Sequence, residues 1–284
     1  MKSYLTVLVA AFVAVACSEP VNREPQPVFP DAEAPTQFTR AYSMTESPDG
    51  FVRVFAREKG DYTYLYITRR DGKAWTEPEQ LNLPGRKIMM GPSFSAQDGK
   101  FYFATDAELP GDPGRRDINL WVAEYHQGEF GEARPLEGDI NTGANETGAA
   151  IAADGLMVFA SNHTRTGGGG YDLAEARQDE TGAWHMTRAL EELNDPQAND
   201  HVALSADGQT LYFYSHRRPK LGVVDILISH RREDGTWSEP ENPGEPLNTP
   251  GIDYGAGLSA DGNTLFFSRD GALYEMPVDA IGKP

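Results

Sequence analysis

Cysteine is nearly absent from this chain: one residue, Cys17, in 284. No internal disulfide can form. Bases are also scarce, 25 against 43 acids, for a formal charge of −18. That balance argues against nucleic acid as a partner, because affinity there rests on Lys and Arg neutralising phosphates. It argues equally against a polybasic membrane-surface binder. Histidine supplies no metal motif. The six are scattered, and none forms an H-x-x-x-H or H-E-x-x-H spacing. No G-x-S-x-G elbow is present, and Gly167–Gly170 lacks the Lys-Ser/Thr of a phosphate loop. No cofactor is expected. What the chain has is glycine and proline, 29 and 20 residues, with 39% hydrophobic and 10% aromatic residues. That is enough to bury a core.

The leader explains the lone cysteine. Lys2 is followed by an apolar run from Tyr4 to Ala16, too short to span a bilayer and of the right length for a secretory core. The run ends Ala14-Val15-Ala16-Cys17, which resembles a bacterial lipobox, with Ala14 where leucine is usual. The resemblance implies cleavage before Cys17, acylation of Cys17 and stable membrane anchoring through several acyl chains. Ser18 follows instead of aspartate, which implies outer-membrane sorting, periplasmic or surface-exposed. The expected organisation is a signal peptide over 1–16, an acylated cysteine with a Pro- and acid-rich tether over 17–35, and one monomeric globular domain over 36–284.

The domain is repetitive. Asp-Gly pairs begin at Asp49, Asp98, Asp154, Asp207 and Asp261, with spacings of 49, 56, 53 and 54. A β-rich segment follows each one: FVRVFA, KFYFAT, LMVFAS, TLYFYS, TLFFSR. A second ladder, Trp75, Phe130, Trp184 and Trp237, follows glycine turns at spacings of 55, 54 and 53. Asp-Gly suits the positive φ of a hairpin turn. In Thr210–Ser215, Leu211 and Phe213 point one way and Tyr212 and Tyr214 the other. Both faces are apolar, so both must be covered, as in a propeller blade squeezed between neighbours. The period predicts an all-β fold: a single five-bladed β-propeller of four-stranded antiparallel blades. The last copy, Gly255–Ile281, is short of one strand, and Val28-Phe29 is the expected donor that closes the ring. Trp75, Trp184 and Trp237 are expected in the blade cores.

The units Ser205 to Phe213 and Asp234-Gly235-Thr236-Trp237-Ser238-Glu239-Pro240 resemble the WD-like repeat of TolB-type periplasmic proteins. The resemblance spans about residues 42–275 and implies a non-enzymatic scaffold that binds an envelope protein or glycan. TolB proteins carry six blades and an added α/β domain, which this chain does not match.

In a propeller the face carrying the connections between blades, and the loops between second and third strands, is the usual ligand face. Glu146 lies 8 residues before Asp154, Asp200 lies 7 before Asp207, and Asp253 lies 8 before Asp261. Three acids around one mouth would resemble the acid, base and modulator of five-bladed glycosidases, which gives the alternative reading, a glycoside hydrolase or lyase. The competing reading is that these acids belong to the repeat and bond neighbouring backbone. Convergence on one open pocket would favour catalysis, and capping by backbone amides would not. Asn141, Asn194 and Asn248 read as turn residues bonding local backbone. Arg116, His163, Arg165, His216 and Arg217 would place basic groups on the same rim.

Overall fold

In a computed structural model, residues 23–30, 39–163 and 170–282 are described. The leader, Cys17 and Arg165 lie outside them. The fold is a five-bladed β-propeller. Blade 1 comprises Ala41–Glu46, Val52–Lys59 and Tyr62–Asp71, with Ala74–Trp75 and Glu79–Gln80 both paired to the third strand. Blade 2 comprises Met89–Phe94, Phe101–Thr105, Asn119–Ala123 and Arg134–Pro135. Blade 3 runs through Glu146–Ile151, Met157–Ser161, Asp172–Gln178 and Trp184–Ala189. Blade 4 has Asn199–Leu204, Thr210–Ser215 and Asp225–His230. Its outer position is held by single bridges, Arg231 to Trp237 and Ile228 to Glu241.

Blade 5 contains Asp253–Leu258, Thr264–Arg269 and Ala272–Pro277. Its fourth strand comes from the N-terminal segment, where Gln26 pairs with Glu275 and Pro27 with Tyr274. The closure sits one pair earlier in sequence than Val28-Phe29. Val28 still donates its N–H to Leu273 O at 2.9 Å, and the Phe29 ring lies 5.5 Å from that of Phe55 in blade 1. Pro27 has no N–H to give, which an outermost strand tolerates. The pairing is antiparallel, so the chain enters blade 5 from the face carrying the Asp-Gly turns.

The core is a ring of five layers, one between each pair of blades. Leu211 and Phe213 pack toward blade 3 with Val158, Ala160 and Leu173, while Tyr212 packs toward blade 5 with Leu265 and Phe267. The last layer, Met44, Phe55, Phe266 and Leu273, joins blade 5 to blade 1. Each fully buried Phe or Leu contributes roughly 1.5–3 kcal/mol of transfer free energy. Trp184 and Trp237 are buried, but Trp75 is half-buried. The fourth strand of blade 1 is split into two short pieces, and Trp75 meets two guanidinium groups instead, Arg53 at 4.3 Å and Arg70 at 5.5 Å from its ring.

The Asp-Gly turns are stitched by their serines. Ser47, Ser205 and Ser259 donate to Asp49, Asp207 and Asp261 at 2.6, 2.5 and 2.7 Å. The recurrent asparagines do more than cap turns. Asn141, Asn194 and Asn248 each accept the N–H and donate to the C=O of one residue in a third strand, Leu120, Leu173 and Ile226, at 2.7–3.0 Å. They reach back 21, 21 and 22 residues. Their main partner is therefore a third strand well back in the chain, and Asn141 also donates to the local Leu136 O at 3.4 Å.

Candidate functional site

The innermost strands line the central channel, and each is interrupted at the same place. The register shifts between Tyr42 and Thr45, Met90 and Ser93, Thr147 and Ala150, Asp200 and Ala203, and Tyr254 and Gly257. The third residue of each strand takes a positive φ: Ser43 (52°), Gly91 (56°), Gly148 (58°), His201 (51°) and Gly255 (65°). These five bulges form a ring around the axis. A Cβ on Gly91 would lie 2.9 Å from Gly148 N, and one on Gly255 would lie 2.9 Å from Ser43 N. Glycine is needed there for space as well as for φ. Ser43 and His201 are the exceptions, each holding a strained backbone at a cost of about 1–3 kcal/mol. Composition hid this ring. The signal available in the sequence was the spacing of Gly91, Gly148 and Gly255 just inside successive repeats.

The bulges sort the three carboxylates. Glu146 and Asp253 stand two residues before the bulge, Asp200 one residue before it. Alternation along a strand sends these two positions to opposite sides. Glu146 is buried and accepts from Thr142 Oγ1 at 2.6 Å, Thr142 N at 3.2 Å and Ser161 Oγ at 3.2 Å. Burial pushes its carboxyl up to about 7. Asp253 is buried and repeats the arrangement. Thr249 N and Oγ1 donate to it at 2.7 and 2.8 Å, and Arg269 Nε at 2.9 Å. Both acids thus bind the residue four positions back and fix the connection between blades. Asp200 has a different set of partners.

Asp200 is buried as well and faces blade 3. Its Oδ1 accepts from Thr147 Oγ1 of blade 3 and from His201 N, both at 2.7 Å. His201 Nδ1 lies 3.5 Å from Asp200 Oδ2. Burial disfavours the charge on Asp200, but His201 and these hydrogen bonds outweigh it and hold the carboxyl below its ordinary range. The His201 ring lies across the channel, 5.3 Å from Tyr42, 5.2 Å from Tyr214 and 5.8 Å from Tyr254. Four side chains from three blades close around one imidazole on the inter-blade face.

The basic rim is dispersed. Arg116 is exposed and donates to its neighbour's carbonyl. His163 borders a shallow cleft of ≈ 420 Å³ with Asp117, Asn145 and Asn162. His216 meets Tyr214 edge-on at 5.8 Å. Arg217 is folded inward, donating to Leu193 O and lying 3.4 Å from Asp195. Among the described residues, no three His, Cys, Asp or Glu side chains are grouped to hold a metal ion.

The channel opens on the other face. A cavity of ≈ 310 Å³ is lined by all five innermost strands and reaches the Asp-Gly turns. Its wall carries Phe94, Ile151, Leu204 and Leu258, with Glu46 at the matching place in blade 1. Small residues, Pro48, Ala96, Ala206 and Ala260, form its rim.

No protein-family model matches the chain, and no curated protein matches it in sequence. Solved structures do. A thermostable family-43 glycoside hydrolase superposes with a TM-score of 0.55 at 14% identity, over 84% of this chain and 89% of that one. An α-L-arabinofuranosidase from Lactobacillus brevis gives 0.53 at 14%, over 84% and 91%. A structure from Agrobacterium tumefaciens assigned to TolB gives 0.50 at 17%, over 85% and 78%. The likeness is one of fold. Enzymes and a TolB protein share it, and a fold of this kind hosts many functions.

Proposed function

We propose that the chain is a non-enzymatic binding or scaffold module of the cell envelope, tethered through Cys17 as an outer-membrane lipoprotein, periplasmic or surface-exposed, and recognising a protein or glycan. One observation carries this reading. Two of the three candidate carboxylates, Glu146 and Asp253, are bonded to Thr142 and Thr249 by the same side-chain and backbone contacts. A residue pair repeated in two blades and occupied by the blade connection is what a structural repeat requires. A hydrolase would need two carboxylates facing one substrate.

The alternative, a glycoside hydrolase or lyase, retains Asp200, which is held ionised beside His201 in an aromatic surround. Its other two candidate acids, Glu146 and Asp253, are taken up by Thr142 and Thr249.

The test joins anchoring to binding. The parent chain should fractionate with membranes and incorporate labelled fatty acid, and Cys17→Ser should do neither. Immobilised parent chain should retain one specific envelope protein or glycan and should release no sugar from a polysaccharide panel. Fatty acid incorporated into Cys17→Ser, or hydrolysis abolished by Asp200→Asn, would overturn the reading.

A further inference from the structure

The cavity on the Asp-Gly face is lined by all five inner strands, and neither the repeat nor the carboxylate network uses it. Its floor is built from small residues, Ser93, Ala150, Ala203 and Gly257, with Thr45 completing the ring. Gly257 cannot be enlarged, since an added Cβ would stand 1.8 Å from Met44 O. Above this floor the wall is apolar through blades 2 to 5. A volume of this size takes one large apolar side chain or a short peptide tip.

The rim fixes the sign of what enters. The turns that carry Asp49, Asp98, Asp207 and Asp261 flank the mouth, which they line through Pro48, Gly99, Ala206, Ala260 and Gly262; Asp154 sits in the matching turn of blade 3. On the side of blades 2 and 3 the acids are answered by bases: Lys100 lies 3.4 Å from Asp98, and Arg177 and Arg231 lie 3.0 and 3.3 Å from Asp154. On the side of blades 4, 5 and 1 they are not. Among the described residues no base pairs with Asp207, Asp261 or Asp49. Serine and backbone hydrogen bonds, joined by Tyr125 Oη at Asp49 and Asn263 Nδ2 at Asp261, keep all three below the ordinary carboxylate range. Inside the same arc, Glu46 is paired with Arg53, which is itself shared with Glu275 at 3.1 Å. The mouth is therefore half acidic and half neutralised, over an apolar well.

We propose that this mouth docks a peptide segment of a partner protein that presents an apolar side chain flanked by lysine or arginine. The apolar side chain enters the well, and the cation lies against Asp207, Asp261 and Asp49. The inference rests on the binding-module reading and names the face and partner chemistry it uses. The entry of the N-terminal segment into blade 5 from this same face fits the placement. Nine residues from Cys17 to Pro25 reach at most about 30 Å, so a mouth on this side stays near the anchor. Its acidic arc repels anionic lipid headgroups and leaves a basic peptide as the complementary occupant.

The test uses the purified full chain in nanodiscs of zwitterionic lipid and fluorescein-labelled Gly-Lys-Leu-Phe-Lys-Gly. Anisotropy should show saturable binding that weakens about tenfold when both lysines become glutamates, and again when Leu-Phe becomes Ala-Ala. Ala206→Trp, which fills the mouth from an exposed turn position, should abolish binding with the melting temperature unchanged. The pair Asp207→Asn and Asp261→Asn keeps a turn-forming Asn-Gly and should weaken binding several-fold. Equal affinity for the glutamate peptide, undiminished binding by folded Ala206→Trp, or no saturation would overturn the proposal. If these fail while the parent and Ala206→Trp retain the same envelope ligand, the docking site falls and the binding-module reading stands.

Discussion

At the scale of single residues, the chemistry turns on where a carboxylate sits relative to a bulge. Glu146 and Asp253 differ from Asp200 by one position along the strand, and that step separates an acid that caps the connection between blades from one that bonds the neighbouring blade beside His201. Glu146 carries a measurable consequence. Its folded carboxyl titrates at about 7, above the ordinary value near 4.5. Between those values the folded state holds a proton that the unfolded chain has released. Its contribution to stability is therefore present below about pH 4.5 and is lost as pH rises through 7. Melting curves from pH 4.5 to 8 should show a decline across this window in the parent relative to Glu146→Gln. Parallel profiles for the two proteins would remove Glu146 as the cause. This carboxylate was legible in the sequence as a repeated acid, but its partner was not. Thr142 and Thr249, four residues earlier, were visible as part of Asn-Thr pairs. What they bind depends on a bulge that only the folded register defines.

At the scale of elements, the repeat was readable because turns and β-rich segments recur every 49 to 56 residues. Asp-Gly requires a turn, and two apolar strand faces require two covering sheets. Strand ends were less readable. The closing strand is Gln26–Pro27 and not Val28-Phe29, because register there is set by contact with Tyr274 and Glu275, far along the chain. Phe29 nonetheless packs on Phe55, so the segment joins blade 5 to blade 1 as well as completing a sheet. Deleting residues 24–32 should broaden the unfolding transition and lower its midpoint by several degrees, as monitored by circular dichroism. An unchanged midpoint and slope would show that the ring closes without this strand.

At the scale of the whole molecule, the charge of −18 acquires a place. Part of it lies in buried capping acids that never meet solvent, and part in the turn-face arc. The face expected from propeller convention to hold the ligand carries the His201 ring between tyrosines, the cleft at His163 and a scattered basic rim. The cavity reached by all five inner strands lies on the opposite face, from which Gln26–Pro27 enters blade 5. Composition could reveal acidity but not its distribution over two faces. The fold itself is shared with glycosidases and a TolB protein, so the decision between enzyme and scaffold falls on what the inner-strand acids do.

The melting temperature of Asp253→Asn tests that decision most directly. Removing one partner of a buried ion pair costs about 3–5 kcal/mol, because the other charge is left buried and unmatched. Arg269 would be so placed, since its side chain is 19% exposed and its other contacts are neutral, the carbonyls of Pro246 and Leu247 and the rings of Phe267 and Tyr274. A structural Asp253 predicts a fall of roughly 6 °C or more in a domain of this size. An unchanged or raised melting temperature would mark a carboxylate kept for chemistry at the expense of stability, and would contradict the account.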